Sequence, residues 1–206
     1  MHGEGAEMRR VCALRRVRLA AETAKMKATT HILLLTGAPG IGKTTVLREV
    51  AARLSGWKLA GFYTEEIRTS GGERSGFRIA GFDGRSGVMA QAGFPGPHRV
   101  GRYGVDVAAI DALAPSFLAA DPSIAIYLVD EIGKMECLSG KFVAAMRELL
   151  ETGKPVVATV ALHGEGFIDE IKRRPHVQMW QVTKANRDRL ANDVLAWLSP
   201  VTVAHA

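Results

Sequence analysis

The segment GAPGIGKT, residues 37–44, constrains this chain more than any other stretch. Its glycine, lysine and threonine fall in the spacing G-x-x-x-x-G-K-[ST], a phosphate-binding loop when it joins a strand to a helix. The flanks meet that condition. HILLLT, residues 31–36, has the length and continuity of a strand buried on both faces of a parallel sheet. In TTVLREVAARL, residues 44–54, Val46, Leu47, Val50, Ala51 and Leu54 share one helical face, with Gly56 as the expected stop. A strand, a glycine-rich loop and a helix in this order commit the chain to an α/β fold.

The loop has a physical purpose. Gly37, Gly40 and Gly42 allow backbone angles closed to other residues, so the amides of Gly37, Ala38, Gly40, Ile41 and Gly42 can turn inward around Pro39, which lacks an N–H. The nest lies at a helix N-terminus, where unpaired N–H groups and the helix dipole favour an anion. Lys43 supplies a point charge for the β- and γ-phosphates. Thr44 is placed to ligate Mg²⁺, and Thr45 to donate to the α-phosphate. A triphosphate site is expected.

The stretch IYLVDEIGKMEC, residues 126–137, runs an apolar strand into two adjacent carboxylates. Two like charges in contact repel, and each is costly to bury unpaired. A phosphate loop explains the pair. Asp130, at the end of the run, is expected in the Mg²⁺ shell, because Mg²⁺ keeps several waters and takes few protein ligands. Glu131 is then available to orient and deprotonate a water attacking the γ-phosphate.

Elsewhere the α/β alternation is regular except in one region. Residues 61–105 hold 11 of the chain's 22 glycines, with short β-type runs GFYTEEIR, GFRIAGF and GVMAQ separated by the turn signals TSGGERSG and DGRSG. Antiparallel hairpins added to the side of the main sheet are expected there. A helix over 106–120 follows, kinked or ended by Pro115. Then come the strand IAIYLV, the helix KFVAAMRELLETGKP, the strand VVATVAL, the short helix FIDEIKRR, the strand VQMWQVT, and a last helix over 186–198 ended by Pro200. The whole implies a mostly parallel sheet between helices.

Charge narrows the partners. Of the net +6, residues 1–28 carry +4, from seven Lys and Arg against three Glu, which leaves +2 for residues 29–206. That body is nearly neutral, so no strong nucleic-acid signal is expected from it. The basic stretch reads as a dispensable extension, with an amphipathic helix, a targeting segment or a start placed too early, ahead of Met26, as the readings weighed. No apolar run approaches the roughly 18–20 residues of a membrane span. Two cysteines, Cys12 and Cys137, have no metal-type spacing and fit a reducing, cytoplasmic setting.

TGAPGIGKTT, GFYTEEIR followed by RSGF, RVGRYGVD, VDEIGKMEC, EIKRR and VTKANRDRL occur here in that order. Together they resemble the small P-loop nucleoside-triphosphatases first described in thermophiles, whose animal member is the cancer-related nucleoside-triphosphatase. The likeness spans about residues 29–198 and leaves the N-terminal stretch without a counterpart. It implies a RecA-like sheet with added strands. It also implies slow, Mg²⁺-dependent hydrolysis of nucleoside triphosphates, with broad base tolerance; a monomer is expected apart from the likeness. By the same likeness Lys43 and Thr44 take the phosphate and metal roles, and Asp130 and Glu131 the metal and water roles.

Softer positions carry two readings each. Thr159 is either a γ-phosphate sensor or a β-branched strand residue. Arg173 in EIKRR is the candidate arginine finger, with Arg68 and Arg74 as rivals and simple solvation as the alternative. Arg187 stacks on the base or faces solvent, while Asn186 caps the last helix. Glu65 and Glu66 touch the ribose or face water at a sheet edge. A P-loop kinase and a nucleotide-gated switch acting through a protein or RNA partner are the competing functions.

Overall fold

The computed structural model describes residues 31–203, with side chains to residue 199. The extension expected over residues 1–28 lies outside the described residues. Strand β1 (Ile32–Gly37) is buried along its whole length. Ile32 and Leu34 join the core on one face of the sheet, Leu33 and Leu35 the core on the other. Each of these side chains contributes roughly 1.5–3 kcal/mol by leaving water.

The remaining strands are β2 (Leu59–Arg68), β3 (Arg74–Gly81), β4 (Ser86–Ala92), β5 (Arg99–Val100), β6 (Tyr103–Val105), β7 (Ile126–Ile132), β8 (Val156–Ala161) and β9 (Val177–Gln181). They form one sheet in the order β5-β6-β4-β3-β2-β7-β8-β1-β9. The segment from β2 through β7, β8 and β1 to β9 is parallel, and β3 to β6 continue it antiparallel. This is the expected RecA-like α/β sheet with hairpin strands at its side. The two shortest strands, β5 and β6, were not anticipated.

Helices α1 (Lys43–Arg53) and α5 (Arg187–Val203) share one face of the sheet through Val46, Leu47, Val50, Leu190 and Val194. The opposite face carries α2 (Val107–Leu118), α3 (Gly140–Glu151) and α4 (Phe167–Arg173). Capping sets where two of them begin. The Asp106 carboxylate accepts from Ala109 N, and the Ser139 hydroxyl from Phe142 N.

Two prolines behave differently from expectation. Helix α2 passes through Pro115 to Leu118, because the proline sits in the last turn and forfeits only one ladder bond. Helix α5 continues past Pro200 to Val203. Pro200 lacks the N–H that would reach the Ala196 carbonyl, and Ser199 Oγ donates to that oxygen instead, at 3.2 Å.

Candidate functional site

The glycine-rich loop leaves the end of β1 and enters α1. Gly42, the N-cap residue, has φ 114°, and no side chain caps the helix. Only glycine takes that angle without strain. Gly37 is required for a different reason: a Cβ there would stand 2.8 Å from the Val182 carbonyl oxygen. Ala38, Pro39 and Gly40 are exposed, Thr44 is half-buried and Thr45 exposed, so the loop opens to solvent over a buried floor.

That floor is Lys43, which is 7% exposed. Its ammonium donates to the Gly37 carbonyl at 3.2 Å and stands 3.7 Å from Glu131 Oε2. A buried cation needs such partners, since desolvation without them costs several kcal/mol.

The acid pair lies within β7, which runs on to Ile132 where the sequence suggested an end at Val129. Neighbouring strand residues ordinarily point to opposite faces. Here the register slips. Val129 opposes Ala158 and Ile132 opposes Val160, so Asp130 and Glu131 together face Thr159. The shift lies at a cis peptide bond between Asp130 and Glu131, and the two adjacent acids border one site.

Asp130 is fully buried. Its Oδ1 accepts from Thr159 Oγ1 at 2.5 Å and its Oδ2 from Thr64 Oγ1 at 3.3 Å. Among the described residues, two hydroxyls bond the carboxylate and no ion pair neutralises it. Together with Thr44 it offers the hard oxygen donors that suit Mg²⁺. Among the described residues no group of three His, Cys, Asp or Glu side chains could hold a metal by itself.

The Glu131 carboxyl is held above its ordinary range by burial, opposed by Lys43 and reinforced by Asp130. That is the direction a general base needs, because a carboxylate with raised proton affinity takes a proton from water more readily.

Arg187 opens α5 beside the loop. Its Nη1 is 3.5 Å from the Ile41 carbonyl oxygen, and its Cδ lies 3.8 Å from where a Gly42 Cβ would stand. Asn186 directly precedes α5, and its side chain turns back toward β9. Its amide oxygen accepts from Thr183 N and its Nδ2 donates to the Gln181 carbonyl, which fastens the β9–α5 turn.

Arg173 is 80% exposed on α4 and pairs with Asp169 one turn back, at 3.7 Å. Arg68 and Arg74 both grip Glu66, while Arg48 pairs with Glu65 at 3.6 Å and lies over Tyr63. Thr159 is occupied with Asp130. Thr64 and Glu136 were missed in the sequence. Thr64 is one polar residue in an alternating strand, and only the β2–β7 pairing brings it to Asp130.

A family model described as NTPase matches residues 32–195. The nucleoside-triphosphatase THEP1 of Thermotoga petrophila is 38% identical over 164 residues, covering 79% of this chain and 90% of that protein. The human cancer-related nucleoside-triphosphatase is 37% identical, with coverage of 79% and 94%. Among solved structures, THEP1 from Aquifex aeolicus superposes with a TM-score of 0.74 at 34% identity, over 81% of this chain and 98% of that one. The solution structure of the human protein gives 0.69 at 35% identity, over 81% and 96%.

Proposed function

This chain belongs to the NTPase family, and from that premise we propose that it hydrolyses nucleoside 5′-triphosphates to the diphosphate and phosphate. ATP, GTP and related triphosphates are the substrates, taken with broad base tolerance and turned over slowly with Mg²⁺. The observation that carries the reading is the meeting of Lys43 and Glu131, 3.7 Å apart, at the mouth of a phosphate loop.

The loop amides and α1 hold the phosphate tail. Lys43 Nζ exchanges its Gly37 contact for the β- and γ-phosphate oxygens. Asp130 and Thr44 would hold Mg²⁺, which neutralises charge that develops on the phosphates. Glu131 then orients a water in line with the γ-phosphate and accepts its proton. Arg173 is the side chain proposed to reach the transferred phosphate, since leaving one exposed ion pair costs little. Arg187, already against the loop, is proposed to stack on the base. A cytoplasmic monomer is the proposed form. Among the described residues no helix is long and apolar enough to cross a membrane.

The test is phosphate release from the four common triphosphates, with and without Mg²⁺ and with no added acceptor. Release that needs Mg²⁺ and tolerates every base supports the reading. Tight nucleotide binding without phosphate release would favour transfer to an acceptor, hence a kinase. Slow release that accelerates only with cell extract would favour a nucleotide-gated switch.

A further inference from the structure

We infer that Glu136 is a positioning residue: its carboxyl group, folded back onto Gly133, sets the reach of Glu131 toward the phosphate loop. The inference rests on the reading of Glu131 as the group that orients water.

Glu136 opens a short 3₁₀ turn (Glu136–Leu138) just after β7. It is 5% exposed and, among the described residues, makes no ion pair. The amides of Gly133 and Glu136 donate to its carboxyl. A Cβ on Gly133 would stand 2.8 Å from Glu136 Oε2 and 3.5 Å from Glu131 Oε1. Two acids therefore pack on the side of one glycine that any other residue would fill. The two carboxyl groups border one space beside Gly133, so a shift of either changes the room left to the other.

Burying a carboxyl here costs free energy that an apolar side chain would not. Burial, with Glu131 and Asp130 nearby, pushes the group up to about 8. At neutral pH it is an uncharged acid behind the catalytic carboxylate, a filler that adds no repulsion. The other groups around the turn leave that state in place. Asp111 of α2 accepts from Ser139 and lies 3.8 Å from Lys141 of α3. Lys134 is exposed, and burial pushes the Cys137 thiol up to about 12. Above pH 8 the ionised Glu136 adds a third negative charge to a site that must hold an anion.

The experiment compares phosphate release by the full chain with that of Glu136→Ala, Glu136→Gln, Gly133→Ala and the Gly133→Ala/Glu136→Ala double variant, from about pH 6 to about pH 9.5. Glu136→Ala should lower kcat about tenfold or more while KM changes little, the mark of lost orientation. Glu136→Gln, neutral and of equal size, should recover most of that loss and lack the wild-type decline above about pH 8. Gly133→Ala should also lower kcat, and the double variant should be no worse than the poorer single one, because both act through one contact. Additive losses, an unaffected kcat in Glu136→Ala, or the same alkaline decline in Glu136→Gln overturns the inference. The two glycine and glutamine variants decide the matter if Glu136→Ala does not fold. A wild-type chain that releases no phosphate sinks the reading of Glu131 and this inference with it. An active wild type with indifferent variants sinks this inference alone.

Discussion

Thr159 Oγ1 lies 2.5 Å from Asp130 Oδ1, a hydroxyl from one strand holding the carboxylate of the next where both are fully buried. The bond fixes the rotation of the proposed metal ligand before any ligand arrives. It also explains a polar residue in the otherwise apolar strand β8.

Replacing Thr159 with Val keeps the shape and removes the donor. The buried carboxylate then loses one of its two hydroxyl partners, at a cost of about 1–3 kcal/mol. Thr159→Val should melt several degrees lower and need more Mg²⁺ for half-maximal rate, whereas Thr159→Ser keeps both properties near wild type. A Mg²⁺ titration of the rate beside a thermal melt checks both halves.

Lys43→Ala should weaken triphosphate binding and nearly abolish turnover, while Glu131→Gln should retain binding and lose turnover. The two outcomes separate the holder of phosphate from the group that primes water. Calorimetry with a triphosphate and Mg²⁺, paired with phosphate release, distinguishes them. Normal hydrolysis by Glu131→Gln would remove that residue from the mechanism.

Glu136 makes a prediction about stability and pH. Its carboxyl ionises near 4.5 in the unfolded chain and near 8 in the folded one. Between those values the folded state binds more protons, so stability falls as pH rises. Glu136→Gln removes that dependence. Its melting temperature should exceed that of the wild type by several degrees near pH 8 and converge with it near pH 4.5. Parallel melting curves across that range would show that the group is not held neutral.

Arg173→Ala should leave melting unchanged, because the side chain is 80% exposed and its pair with Asp169 is a surface one. As an arginine finger it should nonetheless be worth tenfold or more in kcat. Equal rates would return that role to Arg68 or Arg74, whose own contacts with Glu66 would then have to break.

Much of this was legible in the sequence because it is local. Loop spacing, the apolar run of β1 and the helical face of α1 depend on residues within one turn of each other. Asp130 and Glu131 could be picked out once the loop was accepted. The register shift at these two residues could not, since it belongs to the pairing of β7 with β8. Thr64 and Glu136 were hidden for the same reason: each reaches the acids only through strand pairing or a turn that folds back. Strands of two and three residues, such as β5 and β6, carry too few positions for a period to show. Pro200 misled because a neighbouring hydroxyl took over the bond it could not make.

β8 lies between β1 and β7, so the loop and the acids share no backbone hydrogen bond. Two interstrand spacings, roughly 9–10 Å, separate their strands. A nucleotide gripped at one side and tethered through a cation at the other would span that gap like a rivet. Loading should therefore stiffen the central strands as a unit, and letting go of the product means reopening that join.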